Sequence, residues 1–302
     1  MKPIINHMII DDELLNNKNY TGMEAYGDHI ARLDNSEKEQ LPEVRLLSYY
    51  TGLLNIAALR TGGISGRVLE LGSGMGCFAS ILSRNLKIEE LKVIEYSRSL
   101  LDKAFPAMFK FLKMKHNDMN VTLISRIHGS YNDIKLEDCT MDFVIANHSL
   151  HHSYNVRKTI SEAFRVLKPG GYMIVLERVL GNDMSDEEII LKGETELGVR
   201  HKTRYGVPLE KDLTSRDMGE HYWREKEWIE FLVSKGFCLV NIIKTRKFRN
   251  RYIHALYRRW SKFVYNDYIL KSFLIMQKRI TLYRYFTNVK KGITVFVLRK
   301  PL

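Results

Sequence analysis

Glu70, Gly72, Gly74 and Gly76 stand at alternate positions, and a second acid, Glu95, follows Gly76 by 19 residues. Glycines at such a turn let backbone approach a ligand, and the helix behind them presents free N–H groups. A dinucleotide fingerprint would place its third glycine at 77, but that residue is Cys77. A carboxylate like Glu95 can accept two vicinal ribose hydroxyls at once. Further on, His148, His151, His152 and Glu177 form a second set of chemically able residues. A hydroxyl nucleophile needs a base beside its proton, and imidazole is suited to that work. The spacing 148, 151 and 152 also fits a turn of metal ligands, but no aspartate accompanies it locally, so no metal is expected.

These residues are useful only if strands deliver them to one edge. Arg67–Leu71 reads as a strand running into the glycine turn and a helix over Phe78–Arg84. Leu91–Tyr96 is a strand followed by a helix over Ser97–Lys115, and Val121–Ile127, Asp142–Asn147 and Tyr172–Glu177 are three more strands. The helix Val156–Leu167 is closed by Lys168-Pro169-Gly170-Gly171, which cannot continue it. Alternating strands and helices imply a parallel sheet covered on both faces, with ligands at its carboxyl edge. Residues 1–62 read as a mostly helical cap, with a helix over Val44–Arg60 that stops at Gly62-Gly63. Residues 63–302 then form one domain with two insertions. The first, 180–224, is polar and irregular, and sits where the fifth strand delivers the chain. The helix Glu225–Lys235 and the strands Phe237–Ile243 and Ile293–Leu298 close the domain around the second insertion, 244–292.

The stretches VLELGSGMGCFA (68–79), VIEYS (93–97), MDFVIANHSLHH (141–152) and EAFRVLKPGGYMIVLE (162–177) resemble the class I S-adenosylmethionine-dependent methyltransferases. The resemblance covers roughly Gly66 to Leu180. It implies an α/β fold with a doubly wound, seven-stranded, mostly parallel sheet whose last strand runs antiparallel, and S-adenosyl-L-methionine as cofactor. On this resemblance Glu95 takes the ribose and Glu70 anchors the methionine ammonium beside Gly72, Ser73, Gly74 and Gly76. Tyr96, Tyr131 and Asn147 join the cofactor site. Where the family places an acid for the adenine amino group, this chain has Ser130, so Ser130 or Asp133 is left to do that work.

Some sugar O-methyltransferases of the superfamily pair histidines after the fourth strand with an acid near the end of the fifth. His151, His152 and Glu177 match those places, with His148 nearby. The polar cluster His201, Arg204, Tyr205, His221, Tyr222 and Trp223 lies where this family shapes its acceptor pocket. The expected reaction is O-methylation of a saccharide or glycan hydroxyl, free or lipid-linked. The rival is C- or O-methylation of a quinone or lipid. Base methylation is disfavoured, because Asn147-His148-Ser149-Leu150 lacks the prolines that such enzymes carry there.

Composition sets the remaining bounds. The 302 residues are 45% hydrophobic and 27% charged, which excludes a disordered or fibrous chain. Three dispersed cysteines fit a reducing compartment, and neither a signal peptide nor a spanning segment is read, so a cytoplasmic protein is expected. The net charge of +12 is concentrated at the end of the chain, where Lys244–Leu302 holds sixteen Lys and Arg against Asp267 alone. On a helical wheel Ile253, Leu256, Tyr257, Trp260, Phe263 and Val264 share one face, while Arg251, Arg258, Arg259 and Lys262 lie opposite. Such a helix suits an anionic membrane surface, which would bring residues 246–286 to the inner leaflet. The same apolar face could instead dock on a second subunit, giving a homodimer, or on the protein's own core.

Overall fold

The computed structural model describes residues 5–7, 18–247 and 290–302. Its strands are β1 (Ile5–His7), β2 (Gly66–Leu71), β3 (Ile88–Glu95), β4 (Ile124–His128), β5 (Met141–Asn147), β6 (Leu167–Arg178), β7 (Cys238–Lys247) and β8 (Lys290–Arg299). They form one sheet in the order β1-β4-β3-β2-β5-β6-β8-β7. β8 is antiparallel to both its neighbours, and the pairings among β1 to β6 are parallel. The seven expected strands and the antiparallel last one are all present.

Side chains alternate between the two faces as the period of a strand requires. Val68, Val93, Ile145 and Ile174 face one core, shared with the helices Leu47–Ala58, Cys77–Leu82 and Phe105–Lys115. Leu69, Ile94, Val144 and Val175 face the other, against Val156–Val166 and Glu225–Val233.

Three details differ from the sequence reading. The segment expected to be mostly helical contributes β1, whose backbone pairs with β4 where that strand would otherwise leave donors and acceptors open. Lys168–Gly171 lies within β6 rather than in a separate turn. The strand absorbs it as an irregularity beside Met141, with Gly170 at φ +78°. The 180–224 segment is not irregular throughout, since it holds the helices Asp186–Glu194 and Val199–Tyr205. Residues 248–289 lie outside the described residues, and with them most of the basic insertion and the expectations attached to 246–286. Among the described residues no helix is long and apolar enough to cross a membrane.

The sheet's order reverses beside β2, which has β3 on one side and β5 on the other. Loops leaving β2 and β5 therefore diverge around a crevice, where ligands of such folds bind. Gly72 allows those loops to meet. A Cβ there would lie 2.4 Å from the Ser149 Cβ, and its φ is +73°. Over the crevice lies the helix Lys18–Arg32, tied to the start of the helical stretch after β3. Ser99 N donates to the Glu24 carboxylate at 2.8 Å, Ser99 Oγ bonds Asp28, and Lys103 pairs with Asp28 at 2.7 Å. Gly27 makes this approach feasible, for a Cβ at that position would meet Leu100 N and Ser99 C at 2.5 Å.

Gly27→Ala should therefore cost about 1–3 kcal/mol of unfolding stability, the range for overpacking. Gly198, with open space around a Cβ, is the control, and its alanine variant should stay within about 0.5 kcal/mol in the same denaturant titration.

Candidate active site

β2, β3 and β6 each carry a buried carboxylate at the carboxyl edge of the sheet: Glu70, Glu95 and Glu177. Burial without donors is costly for such a group, so the following loops must supply them. Glu95 receives three backbone bonds, from Gly74 N at 2.8 Å and from Tyr96 N and Ser97 N at 3.1 Å each. Even so, burial outweighs these donors and pushes it up to about 7. Glu70 is in greater need. Its Oε2 is buried and has no hydrogen-bond partner, and burial, with Glu95 nearby, lifts its carboxyl well above the usual range.

Both acids line a cavity together with Gly72, Ser73, Gly74, Tyr96, Tyr131 and Asn147. Ser73 Oγ and Asn147 Oδ1 are also buried there without partners. The wall is therefore rich in unsatisfied acceptors, and a ligand with an ammonium and several hydroxyl donors is what it lacks. S-adenosylmethionine has those groups, so the residues present fit it. Gly76 lies outside this lining, packed so that a Cβ would strike the Phe105 ring at 2.7 Å. Ser130 is also outside it, its hydroxyl accepting from Asn132 N at 3.1 Å, and Asp133 is paired with Lys135. Neither candidate for the adenine faces the cavity.

The opposite wall holds the histidines. After β5 the chain passes through His148 at φ +52°, a conformation few residues other than glycine adopt, and then makes the short turn Leu150–His152. Glu177, fully buried, holds that turn. Its Oε1 accepts from Leu150 N at 2.9 Å and His151 N at 3.3 Å, and its Oε2 lies 2.8 Å from His151 Nδ1. Burial pulls His151 down, but the charge and hydrogen bond of Glu177 prevail and raise it, while Glu177 is lowered in turn. The Glu177 charge also acts on His148, 3.9 Å away, and on His152, but there burial outweighs it. Burial drives them down to about 4 and about 3, so both are neutral imidazoles. Of the three histidines, His151 alone has its protonated form favoured. Glu177 does not line the cavity and acts through His151.

The second expected pocket cluster is only partly brought to the site. Tyr205 lines the cavity, with its ring 5.0 Å from Tyr26. His201 is exposed and outside the lining, and the side chain of Arg204 lies outside the described residues. Trp223 turns away into the core, edge-on to Trp228 and Phe231, with His221 stacked on it at 5.4 Å. That aromatic cluster gives Trp223 more burial than a pocket rim would. Tyr222 donates its hydroxyl to Glu220 at 2.6 Å, and His221 N donates to His151 O at 2.9 Å. These two residues hold the strap that carries Glu220 over the histidine turn.

Sequence reasoning missed several cavity residues. Met23, Tyr26 and Tyr50 come from the cap, and their docking is a tertiary event with no local signal. Glu220 and Arg178 were within reach, as an acid beside His221 and a cation following Glu177. Among the described residues, donor atoms of His148, His151 and Glu177 cluster within 4.8 Å, as do those of His151, His152 and Glu220.

Residues 69–175 match a protein-family model described as a methyltransferase domain. The chain is 25% identical over 130 residues to 6-hydroxymellein synthase of Talaromyces verruculosus, covering 41% of this chain and 5% of that protein. It is 27% identical over 127 residues to phthiotriol/phenolphthiotriol dimycocerosates methyltransferase 1 of Mycobacterium ulcerans, covering 42% of this chain and 43% of that protein. It thus spans less than half the length of either relative. Among solved structures, the [4+2]-cyclase SpnF superposes with a TM-score of 0.56 at 17% identity, covering 95% of this chain and 97% of that one. A methyltransferase candidate from Bacillus halodurans C-125 gives 0.52 at 17% identity, covering 82% and 99%. At such identities the likeness is one of fold.

The electrostatics make a direct prediction for the histidines. In a heteronuclear NMR titration, His151 should titrate above the ordinary value of about 6.5. His148 and His152 should remain neutral throughout. Glu177→Gln removes the charge that raises His151, and burial should then bring its midpoint below that value. A wild-type His151 midpoint at or below the ordinary one would remove the ion pair from the site.

Proposed function

We propose that this chain, which carries a class I S-adenosylmethionine-dependent methyltransferase domain, methylates a hydroxyl oxygen, with His151 as the base and a saccharide as the acceptor class. One observation carries the reading: a proton-accepting histidine, fixed by a buried carboxylate, faces the same cavity as the acids Glu70 and Glu95.

When bound, S-adenosylmethionine supplies an electrophilic methyl group on a sulfonium, and that methyl would pass to the hydroxyl oxygen, with the sulfonium leaving as the neutral thioether. Glu70 would hold the ammonium and Glu95 the ribose hydroxyls, with the Gly72–Gly74 backbone beside them. His151 lies across the cavity. Its Nδ1 is committed to Glu177, which leaves Nε2 to accept the acceptor's proton. The hydroxyl proton passes to His151, where Glu177 stabilises the resulting imidazolium. The cap residues Met23, Tyr26 and Tyr50 cover the crevice and restrict water around the transfer.

A lipid hydroxyl is the second reading. It is favoured by the likeness to the mycobacterial methyltransferase, whose name assigns it a lipid acceptor. Mass spectrometry of glycans and lipids from cells with and without the gene separates the two. Loss of a methyl group from a glycan supports the saccharide, while an unchanged glycan profile beside an altered lipid profile moves the acceptor to the lipid. With that acceptor in hand, His151→Ala should lower turnover by about 10²- to 10⁴-fold. The wild-type rate should fall on the acid side through the raised value of His151, since only the neutral ring accepts a proton. Turnover unaffected by His151→Ala would remove the base from the mechanism.

A further inference from the structure

Beside His151 the cavity presents two more side chains with accepting capacity to spare, His152 and Glu220. His152 makes a hydrogen bond to the backbone of Gly219, while its Nδ1 is buried without any partner. The bond to Gly219 is therefore made through Nε2, and Nδ1 is a bare lone pair facing no donor. Glu220 follows Gly219 directly. Its Oε2 accepts from the Tyr222 hydroxyl at 2.6 Å, and its other oxygen has no donor among the described residues. The strap carrying both is pinned over the histidine turn, since His221 bonds His151 O through its backbone N at 2.9 Å and its Nδ1 at 3.0 Å. Donor atoms of His151, His152 and Glu220 lie within 4.8 Å of one another.

A buried acceptor left without a donor costs stability, so a ligand that supplies the hydrogen gains by it. An acceptor molecule with a single hydroxyl satisfies His151 alone. Neighbouring hydroxyls of a diol sit about one hydrogen-bond length apart, so groups clustered within 4.8 Å can each meet one of them. We infer that the acceptor presents two adjacent hydroxyls, the reacting one to His151 and its neighbour to His152 Nδ1 and Glu220. This deepens the proposed hydroxyl methylation and rests on it. The second hydroxyl fixes the register of the first, so His152 and Glu220 determine which oxygen of a polyol is methylated.

The same three side chains could attract a divalent cation, but the surroundings favour the neutral ligand. His151 Nδ1 is already committed to Glu177 at 2.8 Å, and so is not free to ligate an ion. Arg178 lines the same cavity, and its charge acts on His151 and Glu220.

The test uses the full chain loaded with S-adenosylhomocysteine, and catechol, 2-methoxyphenol and phenol as probes in ligand-observed NMR titrations. Catechol should bind about tenfold more tightly than either single-hydroxyl probe, the worth of one added hydrogen bond. His152→Ala and Glu220→Gln should each reduce that preference while leaving the affinity for S-adenosylhomocysteine unchanged, which shows that the variants fold. Equal binding of the three probes, no binding of catechol, or a preference that survives both substitutions overturns the proposal. Stoichiometric micromolar binding of zinc chloride that both variants lose also overturns it, by showing a cation site. Failure to bind S-adenosylhomocysteine at all would instead defeat the underlying methyltransferase reading.

Discussion

A carboxylate buried at the end of a strand must receive its donors from the loops gathered at that edge of the sheet, and the site is organised by three such groups. Glu177 is met by Leu150 N, His151 N and His151 Nδ1, so one side chain on β6 fixes both the path of the loop after β5 and the orientation of its histidine. Glu95 is met by three backbone N–H groups, and one of them, from Gly74, belongs to the glycine loop. Glu70 is left incomplete. The first two carboxylates build the walls, and the third keeps one buried oxygen without a hydrogen-bond partner.

The division of labour follows from the sheet. Strands β2 and β3 deliver Glu70 and Glu95, and strands β5 and β6 deliver the histidine proposed as the base and its carboxylate partner. Because β2 and β5 are adjacent and their loops diverge, both sets open on one crevice rather than on separate faces. Gly72 keeps the walls close by admitting Ser149 against the loop, and Ser149 Oγ in turn donates to Leu71 O. Closure from above depends on Gly27 and on the Glu24 and Asp28 contacts to Ser99. The electrostatics then separate three adjacent histidines. Only the one paired with Glu177 has its protonated form stabilised.

Much of this was legible in the sequence, and the reason differs by element. The seven longer strands announce themselves because each carries an apolar run bounded by turn residues. The alternation with helices implies the parallel pairings, while the antiparallel last strand was implied by the resemblance alone. β1 is three residues long and carries no period, so only its pairing with β4 identifies it. Lys168–Gly171 contains proline and two glycines, yet pairing resumes on either side of it at the start of β5, Met141 with Leu167 and Phe143 with Tyr172. The cofactor acids were legible because their spacing is local. The acceptor side was not, because a polar and aromatic loop residue can face a pocket or the core with equal ease. Trp223 found Trp228 and Phe231, whereas Glu220, two residues before Tyr222, was carried to the histidines by backbone bonds that no pattern encodes. The cap's part depends wholly on tertiary docking.

The central claim is that the acids at the ends of β2 and β3 form the binding site for S-adenosylmethionine. Isothermal calorimetry with S-adenosylhomocysteine, comparing the wild-type chain with Glu95→Gln, tests it most directly. The account predicts stoichiometric binding to the wild-type chain, weakened in the variant by about 2 kcal/mol, or roughly thirtyfold, the scale of a hydrogen bond to a charged group. Equal affinity in the two proteins, or no binding to the wild-type chain, would contradict it.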